Sequence, residues 1–143
     1  MKFEEVSQPI HETETILPTR ATAGSAGHDL RIREPIILEA GESVLTFTDV
    51  KCEFPKDYVM LLFIRSSLGK SGIQLANSVG VIDSDYYNNL DNDGNIGIVL
   101  YNASDKNIAL GAGQRVVQGV VVPYLANDDT TDTREGGFGS SGK

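Results

Sequence analysis

Tyr58-Val59-Met60-Leu61-Leu62-Phe63-Ile64 is almost wholly apolar and then breaks into Arg65-Ser66-Ser67-Leu68-Gly69-Lys70-Ser71-Gly72. The apolar run predicts a strand buried on both faces. The polar run brings hydroxyls, an Arg, a Lys and two glycines together within eight residues. Such a cluster can form a nest of backbone N–H groups around phosphate oxygens. It can equally be a helical turn capped by Ser66 or Ser67. It is not a P-loop, because the Gly-x-x-x-x-Gly-Lys-Ser/Thr spacing is absent.

On the amino-terminal side, Val50 to Phe54 predicts a strand ended by Pro55-Lys56-Asp57. Pro35 to Leu38 and Ser43 to Phe47, joined by the turn Ala40-Gly41-Glu42, read as a hairpin. Ile16-Leu17 before Pro18 predicts a first short strand. Ala21 to Asp29 is a loop of small residues that lets backbone approach something closely, and it leads into a short strand at Leu30-Arg31-Ile32.

On the carboxyl side, Asn77-Ser78-Val79-Gly80-Val81-Ile82-Asp83-Ser84-Asp85-Tyr86 alternates as a strand and then presents two carboxylates and an aromatic ring. An amide, a carboxylate and an aromatic face in succession can wall a small polar pocket. There Asp83 would hold a water and Tyr86 would offer its face to a sugar or base. The plainer reading is a hairpin whose Asp and Asn residues make its turn. Asn88 to Asn95 is turn chemistry, predicting an extended acidic tip that lacks the calcium-loop pattern. Ile96 to Tyr101 reads as the returning partner strand, and Asn102 to Asn107 turns into Ile108-Ala109-Leu110. Gly111-Ala112-Gly113 opens a long strand from Gln114 to Tyr124. Arg115 and Gln118 inside this Val-rich run are costly unless paired, so each should meet a buried acid or a ligand; a structural ion pair is expected for Arg115.

Residues 1–125 thus read as one all-β domain, a jelly-roll or β-clip-type sandwich of many short strands. Residues 126–143 read as a polar tail ending in a Gly-rich segment around Phe138. The tail is either disordered or folds over a ligand, with Phe138 stacking on a base and Arg134 and Ser140 holding phosphates.

Composition narrows the function. The formal net charge of -8, with a pI near 4.6, argues against a general nucleic-acid binder. Twelve Lys and Arg residues still suffice for one local anion site, and a polyphosphate ligand would bring a divalent cation to bridge the charges. The single cysteine, Cys52, excludes an internal disulfide and fits a reducing compartment. With His11 and His28 as the two histidines, no zinc cluster forms without carboxylates. The acids in Met1-Lys2-Phe3-Glu4-Glu5 and the shortness of every apolar run predict a soluble cytoplasmic protein.

Taken in order, Ala26-Gly27-His28-Asp29-Leu30, Arg65-Ser66-Ser67-Leu68-Gly69, Asn77 through Tyr86, Gly113-Gln114-Arg115-Val116-Val117-Gln118 and Gly136-Gly137-Phe138-Gly139-Ser140-Ser141-Gly142 resemble the five motifs of the trimeric dUTPases. The resemblance covers the chain from about residue 20 to its end. It implies a jelly-roll homotrimer whose active sites are each built from three subunits. The implied reaction is hydrolysis of dUTP to dUMP and pyrophosphate, with Mg2+ on the triphosphate, which keeps uracil out of DNA and supplies dUMP for dTMP synthesis.

By the same resemblance, Asp83 positions the water that attacks the α-phosphorus, and Tyr86 packs under the deoxyribose with no room for a 2′-hydroxyl. Asn77 and the backbone around Gly80 read uracil. Arg65, Ser66, Ser67 and Gln118 bind phosphate oxygens. Arg134, Phe138, Gly139 and Ser140 belong to a closing tail donated by another subunit, and Asp29 holds magnesium through water.

The chain departs from the family pattern in three places: the long run Tyr87 to Asn95 after Tyr86, Gln114 in place of an acid before Arg115, and Arg134 only four residues before Phe138. A dCTP deaminase relative would need a glutamate at the pyrimidine ring, which Asn77 to Tyr86 does not offer. A nucleotide-binding regulatory protein would keep the pocket and signal through it, with the acidic 88–95 tip as its partner surface.

Overall fold

The computed structural model describes residues 1–127, 130–134 and 136–139. Short segments between turn residues form, in chain order, β1 (Lys2–Glu5), β2 (Thr19–Arg20), β3 (His28–Arg31), β4 (Ile36–Leu38), β5 (Ser43–Phe47), β6 (Val50–Glu53) and β7 (Tyr58–Ile64). A single helical turn, α1 (Ser66–Lys70), separates these from β8 (Ile73–Leu75) and β9 (Gly80–Ile82). A 3-10 turn at Ser84–Tyr86 precedes β10 (Gly97–Asn102), β11 (Ile108–Leu110) and β12 (Arg115–Pro123). This is the predicted all-β fold. One sheet has the order β2-β3-β12-β7-β9, another β5-β10-β8, and two further pairs are β1-β6 and β4-β11.

Between the sheets lie Leu30, Ile32, Leu38, Met60, Leu62, Ile98, Leu100, Val116 and Val117, all essentially closed to solvent. Each such side chain contributes about 1.5–3 kcal/mol of burial energy. Among the described residues no helix is long and apolar enough to cross a membrane.

Strand β7 is not buried on both faces. Its inward residues Met60 and Leu62 are closed, whereas Phe63 is 36% exposed and Val59 and Leu61 are half-buried. The reason is that β12 and β9 occupy its edges while only one of its faces meets the opposing layer. The outer face stays apolar across the sheet, because Val81 and Val120 sit in register with Leu61.

The two expected hairpins are also absent. β4 pairs with β11 and β5 with β10, so the turn between β4 and β5 carries the chain from one sheet to another. Gly41, at φ 79°, makes that crossing, and its N–H donates to the Asn102 carbonyl at 2.8 Å. Likewise β9 pairs with β7 while β10 pairs with β5 and β8. Alternation tells which face a residue takes, not which strand it pairs with.

Ile16 and Leu17 form no strand and stay exposed. The amino-terminal strand is β1, paired with β6. The segment after it is pinned by side chains instead: Asp49 accepts the Ile10 and His11 N–H groups at 3.0 and 3.1 Å, and Arg33 donates to the Glu14 carbonyl at 2.7 Å.

Candidate active site

Strand β9 can lie tight against β7 because Gly80 faces Leu62, where a Cβ would stand 2.9 Å from the Leu62 Cβ. Past Ile82 the chain leaves the sheet at Asp83 in extended conformation (φ −76°, ψ 156°). The Asp83 carbonyl then accepts the Tyr86 N–H at 3.1 Å, which closes the 3-10 turn. This geometry leaves the Asp83 side chain 50% exposed and turns Tyr86 inward to 5% exposure.

Asp83 and Tyr86 border a cavity of about 280 Å³, whose walls include Leu62, Asn77, Val79 to Ile82 and Gly97. Its cover is the tail, through Arg134, Gly137, Phe138 and Gly139. Gly97 allows this cover: a Cβ there would lie 3.1 Å from Phe47 and 3.3 Å from the Phe138 ring. An apolar floor with a half-exposed carboxylate and two aromatic rings at its rim can hold a flat polar ring and keep a water on the carboxylate.

Arg134 ties the tail down. Its Nη2 is 2.6 Å from Asp83 Oδ2, its Nε is 2.8 Å from Asp85 Oδ1, and its guanidinium lies over the Tyr86 ring at 5.6 Å. Partial burial works against its charge, but Asp85 and Asp83 outweigh this and hold its pKa above the ordinary arginine value. The Gly137 N–H donates to Asp91 Oδ2 at 2.7 Å. Arg134 and Gly137 thus seat the tail over the pocket. Ser140, expected to hold phosphate, lies outside the described residues.

The remaining predicted residues gather elsewhere. Asp29, on β3, accepts Arg65 Nε and Arg115 Nη1, each at 3.0 Å, so the expected ion pair of Arg115 is present. Gln118 is paired in register with Asp29 and lies against Gly27, where a Cβ would stand 2.7 Å from its Oε1. Ser66 and Ser67 are the first residues of α1, whose cap is Arg65, so the serine-cap reading is not realised. Both carboxylate oxygens of Asp29, the residue expected to hold magnesium through water, are engaged by guanidinium groups. By the β7–β9 register, Asp83 exits beside Val59 whereas Arg65 lies beyond the far end of β7. That separation is about 20 Å at the ~3.3 Å rise of a strand residue.

The 88–95 segment is not an extended tip. Asn89 and Asn95 are buried, and Asp93 accepts from Lys51 Nζ at 2.9 Å and from the Ser7 N–H at 2.7 Å. Asn89 Oδ1 accepts the N–H groups of Asp91 and Asn92, so the Asx chemistry folds the loop on itself. Leu90 and Asp91 are exposed at its crest.

Three site residues escaped the sequence reading: Asp85, which shares Arg134; Asp91, which receives the tail; and Gly97, under Phe138. For Gly97 a signal existed, since a glycine inside an apolar strand marks a close approach.

A family model described as dUTPase matches residues 13–142. The deoxyuridine 5'-triphosphate nucleotidohydrolase of Lactococcus lactis is 41% identical over 131 residues, covering 88% of this chain and 87% of that protein. The dUTPase from Streptococcus mutans superposes with a TM-score of 0.81 at 44% identity, over 90% of this chain and 99% of that one. A mutant dUTPase from phage phi11 of S. aureus shares the fold at 21% identity, with a TM-score of 0.71 over 93% of this chain and 96% of that one; its structure is described as revealing the coordination of a structural Mg(II) ion. With Asn77, Asp83, Tyr86 and Phe138 gathered around one covered pocket and relatives matching nearly end to end, the chain belongs to the dUTPase family.

Proposed function

We propose that this protein hydrolyses dUTP to dUMP and pyrophosphate, with Asp83 orienting the attacking water. The observation that carries this is the placement of a half-exposed carboxylate at the rim of a cavity flanked by Tyr86 and Phe138. A water held by Asp83 attacks the α-phosphorus; its oxygen–phosphorus bond forms as the bond to the α–β bridging oxygen breaks, and pyrophosphate leaves. The water's proton passes to Asp83 or to solvent. A carboxylate is a weak base, so most of the acceleration comes from alignment and from donors that stabilise phosphate charge.

Asn77 and the backbone at Gly80 read uracil, Tyr86 packs under the deoxyribose, and Phe138 with Gly139 covers the bound nucleotide. Arg134 must part from Asp83 for a water to take its place, and a triphosphate offers that guanidinium a stronger partner. Closure of the tail, residues 126–143 in this reading, excludes bulk water.

Among the described residues no group of three carboxylate, His or Cys side chains could hold a metal by itself. That fits Mg2+, which keeps several waters and is bound mainly through substrate phosphates. Bound with the triphosphate, it would neutralise phosphate charge. The exposed Asp83 and Asp85 carboxylates are the side chains at the rim that such a complex would meet.

The distance between Asp83 and the Arg65, Ser66, Ser67 and Gln118 group supports a homotrimer with shared sites. One nucleotide would then meet the pocket of one subunit and the phosphate-binding group of another. The apolar outer face of β7, β9 and β12 supports burial between subunits. One buried thiol fits work in the cytoplasm on the nucleotide pool.

Pyrophosphate release from dUTP, dCTP, dTTP and UTP, with magnesium and with chelator, tests the reading. Release from dUTP alone, lost with chelator, is the expected result. No release from any of the four by folded protein would replace it with a nucleotide-binding role.

A further inference from the structure

Tyr86 is held at both ends by the loop that follows it. Its hydroxyl donates to the Asn95 carbonyl at 2.8 Å and accepts from Asn92 Nδ2 at 2.8 Å, while its own carbonyl accepts from Asn89 Nδ2 at 2.8 Å. Burial is the main cause that pushes the Tyr86 hydroxyl above its ordinary pKa, so it stays a donor at neutral pH. The Asn92 amide is fixed in turn. Its Oδ1 accepts from Asn89 Nδ2 at 2.8 Å and from the Gly94 N–H at 3.1 Å, and its Nδ2 also reaches the Asn95 carbonyl at 3.2 Å. A flipped amide would turn its oxygen toward the Asn95 carbonyl and its nitrogen toward two donors, so one orientation is set.

The same loop receives the tail. Asp91 accepts the Gly137 N–H, and a Cβ on Gly137 would stand 3.2 Å from both the Asn92 Cγ and the Asp91 Cβ. Gly137 is buried there, next to Phe138 on the cavity's cover. The side chain that fixes the Tyr86 hydroxyl is therefore also part of the surface on which the tail closes.

We propose that Asn92 is a positioning residue that fixes the height of the Tyr86 ring and thereby sets discrimination between deoxyribose and ribose nucleotides. This rests on the dUTP-hydrolysing reading of the pocket. A ring held at its hydroxyl by both Asn92 and Asn95 cannot sink to admit a 2′-oxygen; without Asn92 the single bond left to the Asn95 carbonyl lets it pivot. Asp91, whose carboxylate accepts the Gly137 N–H and makes no hydrogen bond to Tyr86, bears on closure.

The test measures kcat and KM for dUTP and UTP in the wild type, Asn92→Ala, Tyr86→Phe, their double mutant and Asp91→Ala. Loss of one hydrogen bond predicts a fall of about tenfold in the dUTP:UTP ratio of kcat/KM for Asn92→Ala. Tyr86→Phe, which keeps the ring and removes the hydroxyl with both of its hydrogen bonds, should show at least that fall, and the double mutant no more than Tyr86→Phe alone. Asp91→Ala should raise KM for both nucleotides and leave the ratio intact. An unchanged ratio in Asn92→Ala, or additive losses in the double mutant, would overturn the proposal. Should Asn92→Ala fail to fold, an unchanged ratio in Tyr86→Phe would overturn it equally. A wild type inactive on dUTP sinks the underlying activity and this inference with it, whereas an active wild type with unchanged ratios sinks this inference alone.

Discussion

Arg134 Nη2 lies 2.6 Å from Asp83 Oδ2, so one ion pair joins the closing tail to the carboxylate at the pocket rim. Asp83 is half exposed, and an exposed pair of this kind contributes at most about 1 kcal/mol to stability. Its importance lies in binding, because the guanidinium also covers the Tyr86 ring. Arg134→Ala should therefore raise KM for dUTP by tenfold or more and leave the melting temperature nearly unchanged. Steady-state kinetics beside thermal melts check this, and a lowered melting temperature with an unchanged KM would assign Arg134 to folding.

Asp83→Asn keeps the shape of the side chain and removes its negative charge. Turnover should fall by at least about 100-fold, the lower range for loss of a positioned base. Nucleotide binding, followed calorimetrically with a non-hydrolysable dUTP analogue, should remain within a few-fold of wild type. Equal loss of binding would make Asp83 a structural residue.

The strand at Tyr58 to Ile64 was legible because an unbroken apolar run admits few alternatives, and Asp83 with Tyr86 because a carboxylate and a ring follow directly on a short alternating segment. What was not legible is the partner of each strand. Ser43 to Phe47 follows Pro35 to Leu38 at hairpin spacing, yet the Asn102 backbone, far along the chain, takes up the Gly41 N–H and the turn crosses between sheets. The same blindness hid the loop. Asn88 to Asn95 reads as an exposed tip until Lys51 is placed against Asp93 and the Tyr86 hydroxyl between Asn92 and Asn95. The outer face of β7 was misread for a related reason: periodicity registers apolar character, not whether the cover comes from the same chain.

Cys52 provides a check on the β1–β6 pair. It is paired with Phe3 in register and is 3% exposed, and burial pushes its thiol up to about 12. The thiolate is the reactive form, so the folded protein should resist iodoacetamide at pH 8 and take up one label only when denatured. Mass spectrometry reads the difference directly. Rapid labelling under native conditions would mean that β1 opens from the edge far more readily than the rest of the core.

Asp49 predicts an acid limit to stability. It is fully buried, in a left-handed conformation at φ 58°, and binds His11 Nδ1 at 2.7 Å and Asn95 Nδ2 at 3.0 Å besides the two amino-terminal N–H groups. Burial alone would raise its pKa, but these donors outweigh it and hold the group below the ordinary carboxylate value. The unfolded chain, with a value near about 3.9, then binds a proton before the folded one does. The stabilisation is therefore complete above about pH 5 and is lost as the pH falls through the folded value. Asp49→Asn should cost about 3 kcal/mol or more at pH 7, because it strips a buried charge from its donors. Urea midpoints of wild type and variant should draw closer as the pH falls below about 5 toward the folded value, since the wild type loses there part of what the variant already lacks. Midpoints that run parallel over that range would mean the carboxylate titrates alike in both states.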